Sequence, residues 1–476
     1  MDPSSVVQPS LSDNSSPSDH PPDHPFETLQ ELLSSVADEH RNARDSNSDA
    51  MTPDDREQKA SLIHEACQNA DFDAVARLAI SPGGLLEDSL RRKAWPILLG
   101  CTRAADDPEP SPGDETAWKE WPEHRDEHQV QLDVDRSFVY YPLDMSGSEL
   151  ERRRAELQQL IVRTLRTHPC LCYFQGYHDI VQVFLLVLGS DSAVPAVARL
   201  SLLRIRDFML PTLTAAMAHL HLLFPIIGAV DRKLSHHLSR IQPFFALSAT
   251  LTMYAHEIQG YGDIARLFDF LLANEAVMSI YLFATIILNR RLELFDLDPS
   301  DPELHATLSS LPRPLILETL LSRCSDLFRC YPPETLKFTQ LPKSLPAPPP
   351  LIFRPRPWKL IPASSVLKST SPVHRVATQT LENGEGLFHT LAEEMKRRQV
   401  AEDKAREWAH AKRRFRANVW KHRRQLLVTG AVLVGVIGWY IGRRQPGMHV
   451  RVGELLCGIG RRVSAILGRG LWEREL

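Results

Sequence analysis

From Asp54 to about residue 332 the apolar residues recur at three- and four-residue intervals, and almost nothing alternates. Stretches such as IHEACQNADFDAVARLAI (63–80) and GGLLEDSLRRKAWPILLG (83–100) put leucine and alanine on one helical face. β-Branched alternating runs bounded by turn pairs are missing. Further helical patterns cover 147–168, 175–189, 192–210, 212–227, 229–238, 243–258, 261–273, 276–292, 302–309 and 314–327, and a polar insert at 101–117 reads as a loop. The region 60–333 is therefore expected to be one all-α domain of roughly twelve or more helices. The chain of 476 residues has room for about two to three such units.

The flanks differ. Residues 1–55 are rich in Ser, Asp and Pro, cannot offset their ordering entropy by burial, and are expected to be a disordered tail with no signal peptide. Proline density over 334–385 excludes a helix and favours an extended linker. Residues 386–424 return to a helical pattern, a basic amphipathic helix with Leu387, Leu391, Met395, Trp408, Phe415 and Val419 on its apolar strip. Its last turns carry Lys412, Arg413, Arg414, Arg416, Lys421, Arg423 and Arg424, the kind of cluster that attracts anionic headgroups.

The uncharged stretch QLLVTGAVLVGVIGWYIG (425–442) follows, bracketed by arginines and ending near Trp439 and Tyr440. It is just long enough for one transmembrane helix in a thin bilayer, about 17 residues being the lower limit. The last segment, 443–476, reads as an amphipathic tail. Another apolar run, 275–288, is too short to span and sits inside the globular pattern, so it reads as a core helix.

Seven scattered cysteines read as free thiols in a reducing compartment, and their spacing gives no zinc site. A net charge of −4 gives no case for nucleic acid as a partner. There is no P-loop and no Rossmann glycine pattern, so the chain is not expected to bind nucleotide by itself.

One stretch breaks the apolar pattern. In CYFQGYHDI (172–180) the residues Gln175, Gly176, His178 and Asp179 interrupt what is otherwise core. Buried polar groups are costly unless paired, so the cluster is either a hydrogen-bonded patch or a working site. About forty residues earlier stands VQLDVDRSFVYYP (130–142), where Arg136 follows Asp133 by one helical turn, close enough for the carboxylate to hold the guanidinium.

In this order, Asp133-x-x-Arg136 and then Tyr173-x-Gln175-Gly176-x-x-Asp179 resemble the two signature motifs of the TBC domain, a family of GTPase-activating proteins for Rab-type small GTPases. The opening helix, with Gly84, Leu90, Arg91, Trp95, Leu98 and Gly100, is similar to the start of that domain, with Arg91 and Trp95 reading as structural. LRIRDFMLPTL, FALSATLTMYAHEI, DIARLFDFLLANEAVMSIYLFATIIL and SRCSDLFRCYPP are similar to one subfamily, anchored in the endoplasmic reticulum by a C-terminal transmembrane segment.

The resemblance implies that the partner is a Rab GTPase in its GTP form, with Arg136 as an arginine finger and Gln175 as a glutamine finger. Asp133, Tyr173, Gly176 and Asp179 would support them, Asp179 by pairing with a backbone or arginine group. The resemblance also implies no metal and no cofactor of the chain's own, because the GTPase holds GTP and Mg²⁺. His178 and His256 therefore need no metal role. The chain would act on another protein's active site rather than turn over a substrate alone. Its place would be the endoplasmic reticulum membrane, domain on the cytosolic side, in early secretory traffic. A non-catalytic Rab-binding adaptor and a membrane-tethering protein are the alternatives.

Overall fold

The computed structural model describes residues 51–101, 117–142, 145–336 and 379–422, with 432–433, 435–436 and 439–440. The chain divides into two compact units, Met1–Pro348 with Ile352–Lys396, and Pro349–Leu351 with Arg397–Leu476.

In the first unit α1 (Pro53–Gln68), α2 (Phe72–Ile80) and α3 (Asp88–Leu99) come first, followed by α4 (Glu127–Val134), α5 (Gly147–Thr167), α6 (Tyr177–Leu188) and α7 (Ser190–Arg199). Beyond a π-helical turn at Leu200–Arg204 lie α8 (Thr214–Leu220), α9 (Leu223–Val230), α10 (Arg232–Leu238) and α11 (Leu247–Leu251). Then come α12 (Tyr261–Ala273), α13 (Met278–Asn289), α14 (Arg291–Phe295), α15 (Pro302–Ser309) and α16 (Leu317–Cys330). No strand occurs among the described residues, in keeping with the all-α expectation.

The helix boundaries have local causes. Thr52 caps α1 by accepting from the Asp55 amide at 3.2 Å, with Pro53 at the first helical position. Ser146 caps α5 in the same way through the Glu149 amide. Gly100 ends α3 at φ 71°, a left-handed conformation that glycine adopts without penalty. Where the sequence pattern reads single helices over 192–210 and 212–227, the chain breaks into shorter pieces. The π turn intervenes in the first case, and a turn at residues 221–222 in the second.

Helix α6 is buried almost all round. Phe184 of α6, Trp95 of α3 and Phe268 of α12 make a triangle with ring centroids 5.3, 5.9 and 5.8 Å apart. Each such buried ring contributes about 1.5–3 kcal/mol through the apolar surface it removes from water. Next to this triangle the fully buried Asp269 accepts from Arg91 Nε at 3.1 Å, Arg91 Nη2 at 3.0 Å, Trp95 Nε1 at 2.8 Å and the Leu85 amide at 2.9 Å. Arg91 and Trp95 are thus structural, as read from the sequence. Helix α13 is buried along its length and packs on α16, which accounts for the apolar run at 275–288 as core.

The six described cysteines are all free. Burial pushes the thiol of Cys101 up to about 12 and that of Cys170 up to about 11, so both stay protonated and unreactive near neutrality.

The last described helix, α17 (Leu381–Lys421), begins five residues before the expected position. Its first turns belong to the first unit, where Phe388 and Leu391 are buried and Glu385 Oε1 lies 2.6 Å from His168 Nδ1. The buried strip there runs through Phe388 and Leu391. Gly384 fits closely, since a Cβ on it would meet Leu203 Cδ2 at 2.9 Å.

In the second unit Trp408 and Phe415 of α17 are exposed, and so are the helical residues Val432, Leu433, Val436, Trp439 and Tyr440. Among the described residues no helix is long and apolar enough to cross a membrane. The expected span at 425–442 lies mostly outside the described residues. The expected tail 1–55 is overrun at its end by α1, which begins at Pro53 because Thr52 caps it. Residues 1–50, linker residues 337–378 and the tail 443–476 lie outside the described residues entirely.

Candidate functional site

Two chain segments meet at one carboxylate. Asp133 occupies the last turn of α4 and is fully buried. Its Oδ1 accepts from Arg136 Nη2 at 2.5 Å and from Gln129 Nε2 at 3.1 Å, and its Oδ2 accepts from the Tyr173 hydroxyl at 2.8 Å. Arg136 lies just past the helix end, with its side chain 64% exposed and a second bond from Nε to the Leu132 carbonyl. Its Nη1 donates to nothing among the described residues. Asp135, the extra negative charge beside it, is engaged by Gln131 Nε2 at 2.6 Å.

Tyr173 belongs to an extended segment leading into α6. Its amide donates to Asp126 Oδ2 at 2.9 Å, and its ring stands edge-on to Tyr177. Burial, reinforced by Asp133, pushes the Tyr173 phenol well above its ordinary range, so it remains a donor to the carboxylate. Two residues on, Gln175 is exposed, and its amide makes no hydrogen bond among the described residues.

Gly176 then opens α6 at φ 99°. A Cβ there would lie 2.6 Å from Thr252 Cγ2, so glycine is required by both backbone and space. Gly176→Ala is expected to lower stability by about 1–3 kcal/mol, from the strained conformation and the clash. A denaturant midpoint unchanged from wild type would refute this.

Asp179 departs from expectation: it pairs with histidines, not with an arginine or a backbone amide. Its Oδ2 lies 3.0 Å from His256 Nδ1 and its Oδ1 3.3 Å from His178 Nε2. The reason is tertiary, because the turn ending at His256 packs beside the first turn of α6. The bond to Asp179 raises the pKa of the half-exposed His256 imidazole, while burial lowers that of His178. His178 also lies 3.2 Å from the Tyr173 hydroxyl. Among the described residues no group of His, Cys, Asp or Glu side chains is arranged to hold a metal ion.

The residues singled out in the sequence are therefore brought together, three of them in one hydrogen-bonded network, Arg136, Asp133 and Tyr173, with His178 lying between Tyr173 and Asp179. Gln175 and Gly176 form the turn between them. Sequence reasoning did not single out Asp126, Gln129, Thr252 or Gln182. Only Gln182 left a signal, as a second glutamine inside the apolar run YHDIVQVFLLVL.

The Rab-GTPase-TBC domain family matches residues 88–295, a stretch that contains both segments. TBC1 domain family member 20 of Homo sapiens is 40% identical over 285 residues, covering 59% of this chain and 69% of the relative. GTPase-activating protein gyp10 of Schizosaccharomyces pombe is 32% identical over 287 residues, covering 59% and 73%. GTPase-activating protein GYP8 of Saccharomyces cerevisiae is 28% identical over 228 residues, covering 43% and 44%. On its all-helical architecture and these similarities, the chain belongs to the Rab-GTPase-TBC domain family.

Proposed function

We propose that this protein accelerates GTP hydrolysis by a Rab-family GTPase, presenting Arg136 as an arginine finger and Gln175 as a glutamine finger. The observation that carries the reading is Asp133, one buried carboxylate that holds both Arg136 and Tyr173. It ties together two motifs forty residues apart, each of which carries an exposed polar side chain, Arg136 in one and Gln175 in the other.

The chemistry follows from the side chains. Hydrolysis in a small GTPase is slow because charge growing on the phosphate oxygens is under-compensated and water is poorly placed. A guanidinium is planar and permanently charged, so it can meet two phosphate oxygens at once. Arg136 is tethered at Nη2 and Nε, and among the described residues its Nη1 has no partner. The side chain is 64% exposed, so it can be drawn out at a cost of about 1–3 kcal/mol, set by the donor that the buried Asp133 gives up. Asp133 keeps its bonds from Tyr173 and Gln129 when that happens. Gln175, with an uncommitted amide on a turn fixed by Gly176, orients the attacking water. GTP and Mg²⁺ come with the GTPase.

The second half of the reading concerns place. The uncharged 425–442 stretch between basic clusters supports one transmembrane helix. The resemblance to the endoplasmic-reticulum-anchored TBC subfamily extends this to that membrane and to a Rab of early secretory traffic as partner, with the domain on the cytosolic side because Rab GTPases are cytosolic. Deleting 425–476 is expected to move the protein from the membrane pellet to the soluble fraction. A truncated chain still in the pellet after alkaline extraction would refute the anchor.

The activity is tested by adding the full-length chain to a panel of GTP-loaded Rabs in single-turnover assays. The full chain is the right reagent because α17 completes the domain core with Phe388 and Leu391. Acceleration of one or a few Rabs supports activation. Binding without acceleration would replace it with an adaptor role.

A further inference from the structure

Gln182 is 4% exposed in the middle of α6, one turn beyond His178 and Asp179 and one turn before Leu185 and Leu186. A buried amide is retained only with its partners. Here the partners are backbone atoms of the segment that follows Arg136. Gln182 Oε1 accepts from the Phe138 amide at 2.9 Å, and Nε2 donates to the Tyr141 carbonyl at 3.3 Å. One side chain thus spans a four-residue loop whose outer rim, Val139 and Tyr140, is exposed.

The loop needs such a hold. Phe138 sits at φ 61°, which an aromatic residue rarely adopts, and its ring is buried. Two further bonds fix the same segment: Arg154 Nη2 donates to the Ser137 carbonyl at 3.3 Å, and the Tyr141 hydroxyl donates to the Ala255 carbonyl at 3.2 Å. Ser137 in turn bonds back to Val134 through both its amide and its hydroxyl. Arg136 is the exposed residue at the head of this immobilised segment.

The same helix that carries Gln182 begins at the turn carrying Gln175. We propose that Gln182 is a positioning residue for GTPase activation, locking the segment behind Arg136 to the helix that presents Gln175. The two fingers then stand in one rigid frame. This rests on the activating role argued above. Asp133 joins the same two segments through side chains at the exposed end, whereas Gln182 joins them through backbone at the buried end. Misplacing a reacting group by about 1 Å can cost on the order of 100-fold in rate, which gives such a lock kinetic weight.

The experiment compares full-length wild type and Gln182→Met with the GTP-loaded Rab that wild type accelerates most, each alone and combined with Arg136→Ala. Methionine keeps the volume and removes both bonds. The expected result is a loss in kcat of roughly 10–100-fold, with KM within about twofold, and no further loss in the Arg136→Ala background. The Phe138 amide, protected from hydrogen exchange in wild type, is expected to lose protection. An unchanged kcat, a loss confined to KM, or the same proportional loss with and without Arg136 would overturn the proposal.

Gln182→Glu guards against a variant that fails to fold. Burial favours the neutral acid, which still offers one donor and one acceptor, so this variant is expected to keep most of the wild-type kcat. A Glu variant as impaired as the Met variant would overturn the positioning role. Wild type that accelerates no Rab would overturn the activating role itself, an outcome visible before any variant is read.

Discussion

Arg136→Ala is expected to abolish acceleration of the partner GTPase while leaving the domain folded. An arginine finger is worth roughly 10³–10⁵ in rate, or about 4–7 kcal/mol of barrier. Little of that is returned by residual binding, because the charge it compensates appears only in the transition state. Stability should fall by only about 1–3 kcal/mol, the cost of removing one donor from the fully buried Asp133. The side chain is 64% exposed, and Asp133 retains Tyr173 and Gln129 as donors. Gln175→Ala should behave similarly, since its amide is uncommitted and exposed.

The measurement is single-turnover hydrolysis beside a thermal melt. A large kinetic loss in a variant that still melts cooperatively supports finger roles for both. If either variant retained activation within about threefold, that residue would have no catalytic part. A lysine at 136 is expected to rescue poorly, since an ammonium cannot reproduce the planar fork.

Asp269→Ala should give the largest loss of stability. The substitution strands Arg91 inside the protein and removes the acceptor for Trp95 Nε1 and the Leu85 amide. Breaking a buried pair from one side costs about 3–5 kcal/mol because the remaining charge is uncompensated. A typical domain has only about 5–15 kcal/mol in total. Arg91 keeps one partner, Asp88 Oδ1 at 2.9 Å, which softens the loss without removing it.

Because the cost is a stranded charge, replacing both residues together with Arg91→Met and Asp269→Leu should recover much of it. Denaturant unfolding of the two single variants and the double variant decides this. A double variant as unstable as the sum of the singles would show that packing, not charge, is at stake. Activation per folded molecule should be unaffected in every case, which separates this cluster from the one at Arg136.

The sequence by itself determined the all-helical class, the core helix at 275–288, and the two motifs that converge on the site. These are local properties. Helical periodicity is set by side-chain spacing along the chain, and a polar interruption in an apolar run is visible wherever its partner lies. Gly176 belongs here in part: a glycine opening a helix can be read, but the clash that Thr252 would impose on any Cβ cannot.

Only the tertiary structure decided which groups answer one another. Asp179 meets His256 rather than an arginine because a turn some eighty residues away packs beside it. Gln182 reads as an oddity in YHDIVQVFLLVL until the loop behind Arg136 is laid across it. Phe388, far beyond the expected domain end, is buried in the first unit on a helix whose Gly384 lies against Leu202 and Leu203 of the π turn and whose Glu385 meets His168. Burial and hydrogen-bond partnership are set by distances in space, and along a chain of this topology those distances bear little relation to separation in sequence.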